Sequence, residues 1–190
     1  MFANAYYWKN ELLDLANDMR RYAPLEPSAE KDAPDVSYSE YRLERSLILS
    51  AFIIRSLFES EKLTNGLDSF SLKVQCFNAT DKNTDRVIPL LRKYIDVEYY
   101  DFSSYENQAV NGRRFANQLI HSFVVVSYEI DDTGEARAFY VVSDRDSKKT
   151  LYRCAIDEWL KFVKRVAEDE ITESSTSYDL EKKRWVSARR

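Results

Sequence analysis

Four polar side chains with complementary chemistry lie close together between residues 114 and 121. His121 is the only histidine of the chain. If residues 106 to 121 form an α-helix at roughly 100° per residue, His121 projects about 20° from Arg114, and Asn117 and Gln118, which lie between them in the sequence, project to the same side. Histidine has an ordinary pKa near neutrality, and a guanidinium pairs readily with anions. The spacing therefore predicts a polar ridge that combines a titratable ring with an anion-binding group.

The opposite side of the same helix is apolar. Phe115, Ala116, Leu119 and Ile120 share that face at helical spacing. Gly112 lies on it too, where the absence of a Cβ permits another element to approach closely. We therefore expect the apolar face to pack on the protein and the ridge to point away from it.

The ridge resembles the Arg-x(4–6)-His motif of HEPN-type domains, because six residues separate Arg114 from His121 and an amide lies between them. Members of that family are helical, and many are metal-independent ribonucleases that act as toxins or in defence systems. The resemblance implies that Arg114 and His121 form a catalytic pair, usually completed across a dimer. It implies that His121 acts as general acid and base, that Arg114 stabilises charge developing on a phosphate, and that Asn117 orients this phosphate. The string "NQLIHSF" also resembles bacterial proteins of uncharacterised function.

The same residues have a structural interpretation. A histidine where a helix passes into a strand commonly caps backbone groups or packs with both ring nitrogens hydrogen-bonded. Asn117 and Gln118 would then bond across to neighbouring loops. In that interpretation substitution of His121 affects stability alone.

Composition excludes several classes of function. The chain has 190 residues, 44% of them hydrophobic, and a net charge of −4, which predicts one domain without a general attraction to nucleic acid or membrane. Its three glycines are too dispersed for a P-loop or dinucleotide-binding loop. Two distant cysteines and one histidine predict no disulfide framework and no metal site, and we expect no cofactor. The longest uncharged apolar run, residues 46 to 54, is too short to span a bilayer, and we expect a reducing, cytoplasmic setting without a signal peptide.

Apolar periodicity divides the chain into elements. Residues 23 to 37 hold three of the four prolines and predict a linker after an N-terminal helix. The run from 46 to 54 is apolar on every side and predicts a buried central helix, with Ser37 or Ser39 as its cap. The predicted helices are 5–22, from Ser37 or Ser39 to about Leu63, 86–95, 106–121 and 157–171, and the predicted strands are 69–77, 122–130, 135–144 and 150–156.

Two further segments have binding potential. Residues 96 to 105 are rich in tyrosine, with Tyr99, Tyr100 and Tyr105 as candidate binding residues. They predict a half-buried aromatic rim, and the alternative is stacking on bases or on a flat ligand. Residues 172 to 190 are polar and then basic, which predicts a frayed tail, with a weak RNA contact as the alternative.

Together these patterns predict a single α+β domain over residues 1 to 171 and a C-terminal tail. Helices pack around the central apolar helix, and a helix covers an antiparallel meander of residues 122 to 156, extended by the strand 69–77. Two functions remain open. One is a non-enzymatic interaction or scaffold protein that forms a homo-oligomer or binds a protein partner through the aromatic rim, and it is favoured because it requires no special arrangement of side chains. The other is a HEPN-like ribonuclease acting on RNA, which a dry, fully hydrogen-bonded His121 ring would contradict.

Overall fold

Residues 4–25, 35–83, 97–122, 127–181 and 183–190 are described by the structure, a computed structural model. The predicted helix 86–95, residues 123–126 of the predicted strand 122–130 and most of the linker lie outside these ranges. Within them the helices are α1 (Ala5–Tyr22), α2 (Val36–Glu59), α3 (Gly112–Ile120) and α4 (Ile156–Ala167). The strands are β1 (Ser71–Asn78), β2 (Glu106–Asn111), β3 (Ser127–Ile130), β4 (Ala136–Val141), β5 (Thr150–Ala155), β6 (Ser174–Asp179) and β7 (Arg184–Arg189). The predicted α+β class is confirmed.

Helix α1 packs on α2 and α4 through an apolar face. The Asn4 side chain caps it by accepting a hydrogen bond from the Tyr6 N–H, at 3.0 Å. After its end, Leu25 N donates to Gly134 O and Ala136 N donates to Ala23 O, both at 2.8 Å. These bonds tie the beginning of the linker to the turn before β4, so α1 is fixed to the rest of the protein.

Helix α2 differs from its prediction at both ends and on one face. It begins after Asp35, whose carbonyl accepts from Ser39 N at 2.9 Å, so neither predicted serine cap applies. It ends at Glu59 rather than near Leu63. Its apolar run is not buried on every side, since Phe52 is 50% exposed. The helix therefore presents one apolar stripe to the outside of the described structure.

The central sheet is antiparallel, with the strand order β2-β1-β5-β4-β3. The predicted meander corresponds to β3, β4 and β5, and the predicted extension corresponds to β1. Helix α4 contacts β1, β4 and β5 on one face of the sheet, where Trp159 and Phe162 are fully buried. Trp159 Nε1 donates to Ser50 Oγ at 3.1 Å and so links α4 to α2.

The predicted helix 106–121 is half wrong. Residues 106 to 111 pair with β1 as the edge strand β2, and only residues 112 to 120 are helical. The change occurs at Asn111, whose side-chain oxygen accepts from Arg114 N at 3.2 Å and caps α3. Residues 106 to 111 have a helical pattern, but pairing of their backbone with β1 stabilises a strand instead. The local sequence could not predict this pairing, because β1 is distant in the sequence.

The C-terminal segment is also different from its prediction. Residues 174–179 and 184–189 do not fray but pair as β6 and β7 of a hairpin, and Lys183, just before β7, has a φ of 48°. Rings of Tyr178 and Trp185 meet across it with their centroids 5.4 Å apart. Asn65 holds the hairpin by accepting from Arg189 N at 2.6 Å.

A buried carboxylate joins three helical regions. Asp169, after α4, is 5% exposed and accepts from the backbone N and the Oγ1 of Thr64, at 2.8 and 2.6 Å. Lys9 of α1 forms an ion pair with it at 4.0 Å. Burial lowers the pKa of Lys9, and Asp169 partly offsets this effect. Asp169 thus connects α1, the segment after α2 and the end of α4.

None of the described helices is long and apolar enough to cross a membrane.

Candidate functional site

A polar cleft of about 790 Å³ opens between α2, α3 and the turn that joins β4 to β5. All four residues of the predicted ridge line it. The lining consists of Arg55, Arg114, Asn117, Gln118, His121, Ser143, Asp144, Arg145, Asp146 and Lys149. Four cations face two carboxylates there, so the cleft is locally cationic in a chain with a net charge of −4.

The apolar face of α3 determines that the ridge points into this cleft. Phe115 and Leu119 are fully buried. Gly112 begins the helix directly against the Phe162 ring, and a Cβ at this position would lie 2.3 Å from Phe162 Cζ. The predicted close approach at Gly112 therefore occurs, and it leaves Arg114 on the exposed side.

His121 terminates α3, and its side chain is exposed. Its backbone N donates to Asn117 O at 3.1 Å, which closes the last helical turn. The ring Nε2 lies 3.2 Å from Nη1 of Arg55. The ring is therefore accessible to solvent, and its Nε2 contacts the guanidinium of Arg55.

Arg55 forms an ion pair with a glutamate of its own helix. Its Nε donates to Glu59 Oε1 at 2.7 Å, one helical turn further along α2. The Arg55 bond is the largest cause that lowers the pKa of Glu59. Glu59 thereby partly offsets the Arg55 charge while Nη1 remains directed to His121.

Arg114 has a neutral neighbour rather than a counter-ion. Its Nη2 lies 3.5 Å from the hydroxyl oxygen of Tyr152. Burial, followed by the charge of Asp146, raises the pKa of Tyr152, so this hydroxyl stays uncharged. No ion pair engages Arg114 within the ranges that the structure describes, which leaves its guanidinium free to bind an anion.

The two amides of the ridge have different environments. Gln118 is buried, and it donates to Asp146 Oδ2 at 2.5 Å while its Oε1 accepts from Ser143 N at 3.2 Å. It therefore bonds across to a loop, as the structural interpretation expects, and is not a free binding group. The Oδ1 of Asn117 is occluded and has no hydrogen-bond partner among the described residues. From its amide, Asn117 can thus offer the cleft only the Nδ2 donor.

The tyrosines proposed for binding do not line this cleft. Tyr100 is buried and donates its hydroxyl to Ser147 O at 2.6 Å, so it cannot stack on a ligand. Tyr99 is half-buried, and Tyr105 is exposed. The Tyr105 ring packs near Phe77, at 5.9 Å between centroids, in a shallow depression of about 300 Å³. The aromatic rim is therefore reduced to Tyr105 and its neighbours.

Sequence reasoning did not include Arg55, Arg145 and Lys149 in the site. Residues 143 to 149, which connect β4 and β5, form a turn. Three cations within this short polar turn are a signal that could have suggested an anion-binding role. Nothing local in the sequence connects Arg55 with His121, which lies 66 positions away.

A second, apolar groove lies on the neighbouring surface of α2. Its volume is about 590 Å³. It is lined by Tyr41, Glu44, Arg45, Ile48, Leu49, Phe52 and Ile120. Ile120 precedes His121 directly, so the groove and the cleft meet at the end of α3.

Among the described residues, no three His, Cys, Asp or Glu side chains lie close enough together to hold a metal ion. Comparisons of the chain with protein-family models, with curated proteins and with solved structures gave no match.

Proposed function

We propose that the protein is a HEPN-like, metal-independent ribonuclease whose substrate binds in the cleft. The observation that carries the proposal is that exposed Arg114 and His121 line one cationic cleft. Exposure of the imidazole is the property that separates this function from a purely structural role. A buried ring with both nitrogens bonded could not exchange protons with a substrate.

The reaction would be a transesterification at a phosphodiester of RNA. The 2′-oxygen forms a bond to the adjacent phosphorus while the bond from phosphorus to the 5′-oxygen breaks. His121 accepts the proton of the 2′-hydroxyl on Nε2, after the substrate displaces the Arg55 N–H from that nitrogen, and returns it to the leaving 5′-oxygen. The products are a 2′,3′-cyclic phosphate and a 5′-hydroxyl, and no oxidant or further reactant is consumed.

Arg114 would stabilise the charge that develops on the non-bridging phosphate oxygens. A guanidinium can bind two such oxygens at once, and the absence of a counter-ion among its described neighbours leaves these donors free. Asn117 Nδ2 would orient the same phosphate, since an amide N–H donates to phosphate oxygens and the occluded Oδ1 cannot.

The test is cleavage of a mixed set of labelled RNAs in EDTA, with the 2′,3′-cyclic phosphate product identified by mass spectrometry. We expect His121→Ala and Arg114→Ala to lower the rate by at least about 100-fold. Arg113→Ala is the matched control, because Arg113 is an exposed neighbour on α3 that contacts the Phe58 ring and does not line the cleft. No cleavage by the wild type, or equal rates in all variants with equal unfolding midpoints, would refute the proposal.

A second proposal is that the protein forms a homodimer through the α2 groove. The specific observation is the exposed apolar stripe, in which Phe52 and Tyr41 are 50% and 55% exposed. Glu44 and Arg45 border the stripe, so two antiparallel copies of α2 can pair opposite charges at its rim. Such an interface would provide the interaction function independently of catalysis.

Sedimentation velocity tests this association. We expect a concentration-dependent dimer that Phe52→Glu abolishes and Leu13→Glu does not, because Leu13 is similarly apolar and 38% exposed but lies on α1. A monomer at all concentrations, or equal effects of the two changes, would contradict the dimer.

We also propose a reducing, cytoplasmic location, supported by the two free buried thiols of Cys76 and Cys154, whose pKa values burial raises.

A further inference from the structure

The turn between β4 and β5, residues 143–149, brings two cations to the cleft. Arg145 and Lys149 are exposed, line the cleft and have no ion-pair partner within the described parts of the chain. The turn also carries Asp144 and Asp146. Asp146 is engaged by the Gln118 amide at 2.5 Å, so its charge is directed at α3. Asp144 is exposed and lines the cleft too, so the two cations outnumber the one remaining carboxylate of the turn.

Hydrogen bonds within the turn fix its backbone. Lys149 N donates to Asp146 O at 2.8 Å, and Asp146 N donates to Ser143 O at 3.1 Å. Ser147 Oγ donates to Asp144 O at 2.8 Å. The backbone that carries Arg145 and Lys149 is thus determined before any ligand binds.

Contacts from residues outside the turn hold it in place. Gln118 of α3 bonds to it twice, through its amide oxygen and its amide nitrogen. Tyr100 donates to Ser147 O at 2.6 Å, and Ala79 N donates to Lys149 O at 2.8 Å. Ser122, next to His121, forms a bridge with Ser143. Because the turn is held on several sides, anion binding would require ordering of side chains only.

We infer that Arg145 and Lys149 form a second phosphate subsite of the cleft and that the ligand is a single-stranded polynucleotide with at least two phosphates bound. Arg145 supplies a planar fork for two oxygens, and Lys149 supplies a compact charge. This inference rests on the proposed function in taking a nucleic-acid backbone as the ligand. It adds that the turn binds a second phosphate of the chain, next to the one at Arg114.

The cleft has the size and charge for such a ligand. Its volume of about 790 Å³ is in the upper part of the roughly 300–1,000 Å³ range of ligand pockets. One phosphate on Arg114 leaves Arg145 and Lys149 without an anion, and a polynucleotide carries one further charge per nucleotide. A second bound phosphate would therefore lie beside the two cations of the turn.

Binding can be measured separately from cleavage by fluorescence anisotropy with a labelled 2′-O-methyl oligonucleotide, which cannot be cut through its 2′-oxygen. The variant is Arg145→Ala/Lys149→Ala. Its matched control is Lys161→Ala/Arg165→Ala, which removes the same two residue types from an exposed face of α4 outside the cleft. We expect binding roughly 10-fold weaker in the variant alone, with a slope of log K against log[salt] reduced by about 1.

Three outcomes would overturn the inference: no binding by the wild type, equal losses in the two variants, or equal competition by poly-aspartate, which would indicate a general acidic-ligand site. The proposed function fails differently. Binding that depends on Arg145 and Lys149, without cleavage of unmodified RNA, would support the subsite and refute the ribonuclease. Cleavage that depends on His121, with binding unaffected by the turn variant, would support the ribonuclease and refute the subsite.

Discussion

Nη1 of Arg55 lies 3.2 Å from Nε2 of His121. A guanidinium has N–H donors and no acceptor, so Nε2 must be the acceptor of this contact. The neutral ring that satisfies the contact carries its proton on Nδ1. Helix α2 thus selects the tautomer of the one histidine, which lies on another helix.

We predict a change of tautomer in Arg55→Met. The wild-type ring should be mainly Nδ1–H at a pH where it is neutral, and loss of the donor should shift it toward Nε2–H. A two-bond ¹H–¹⁵N correlation spectrum measures this directly, since the chain has a single histidine. Arg45→Met, on the same helix but in the apolar groove, is the control and should leave the tautomer unchanged. An Nε2–H ring in the wild type would show that the Arg55 contact does not form.

Gly112→Ala should destabilise the protein by about 1–3 kcal/mol, the usual cost of overpacking a filled core. The new Cβ would collide with the Phe162 ring, which is fully buried and stacked on Phe70 at 5.0 Å between centroids. Gly66→Ala is the control, because its nearest atom would be Thr64 Oγ1 at 3.7 Å. Urea unfolding measures both changes.

A double-mutant cycle checks the cause of that loss. Phe162→Leu removes the ring, so the combined Gly112→Ala/Phe162→Leu variant should lose less stability than the sum of the two single changes. Additive losses would show that Gly112 matters for another reason.

Asp169→Asn should lower the free energy of unfolding by about 1–3 kcal/mol. Both Asp169 oxygens accept from Thr64, and an amide replaces one of these acceptors with a donor. Lys9 would also lose its counter-ion. The neighbouring, exposed Glu170→Gln is the control and should have an effect within about 0.5 kcal/mol. Equal effects of the two changes in urea unfolding would refute the linking role of Asp169.

The ion pair of Glu129 and Arg153 should give a pH-dependent contribution to stability. Arg153 binds both oxygens of Glu129 at 2.6 Å, and this bonding is the largest cause that lowers the pKa of Glu129 below its ordinary 4.5. A lowered carboxyl pKa stabilises the fold above the ordinary value, and the contribution is lost as the pH falls through the folded value. Glu129→Gln should therefore cost roughly 0.5–1 kcal/mol at pH 7, since the pair is partly exposed.

Chemical unfolding as a function of pH tests this contribution. The difference between wild type and Glu129→Gln should shrink steadily below pH 4.5. Asp132→Asn, at an exposed turn, should show no such trend. A difference that is constant with pH would mean that the charge of Glu129 does not contribute.

The ridge on α3 could be predicted because its spacing depends only on helix geometry. Phe115 and Leu119 fixed which face is buried, and that was enough to place Arg114 and His121 on one open side. The same reasoning failed for residues 106 to 111, since their pairing partner β1 lies about 35 positions earlier. It also missed Arg55 and the β4–β5 turn, which reach the cleft only through tertiary packing. Local periodicity thus predicts which residues of α3 face the cleft. The residues that other elements contribute to the cleft depend on long-range contacts.

The order of strands in the sheet has a consequence for the protein at high concentration. Among the described strands β2 and β3 are the outermost, and an unpaired strand edge can add a strand from another molecule. Glu106, Asn107 and Gln108 give β2 a charged and polar edge, which disfavours such growth. At the other edge, an irregularity in the pairing between Glu129 and Ile130 interrupts the regular ladder. Both of these borders of the sheet therefore disfavour fibre-like growth by strand addition.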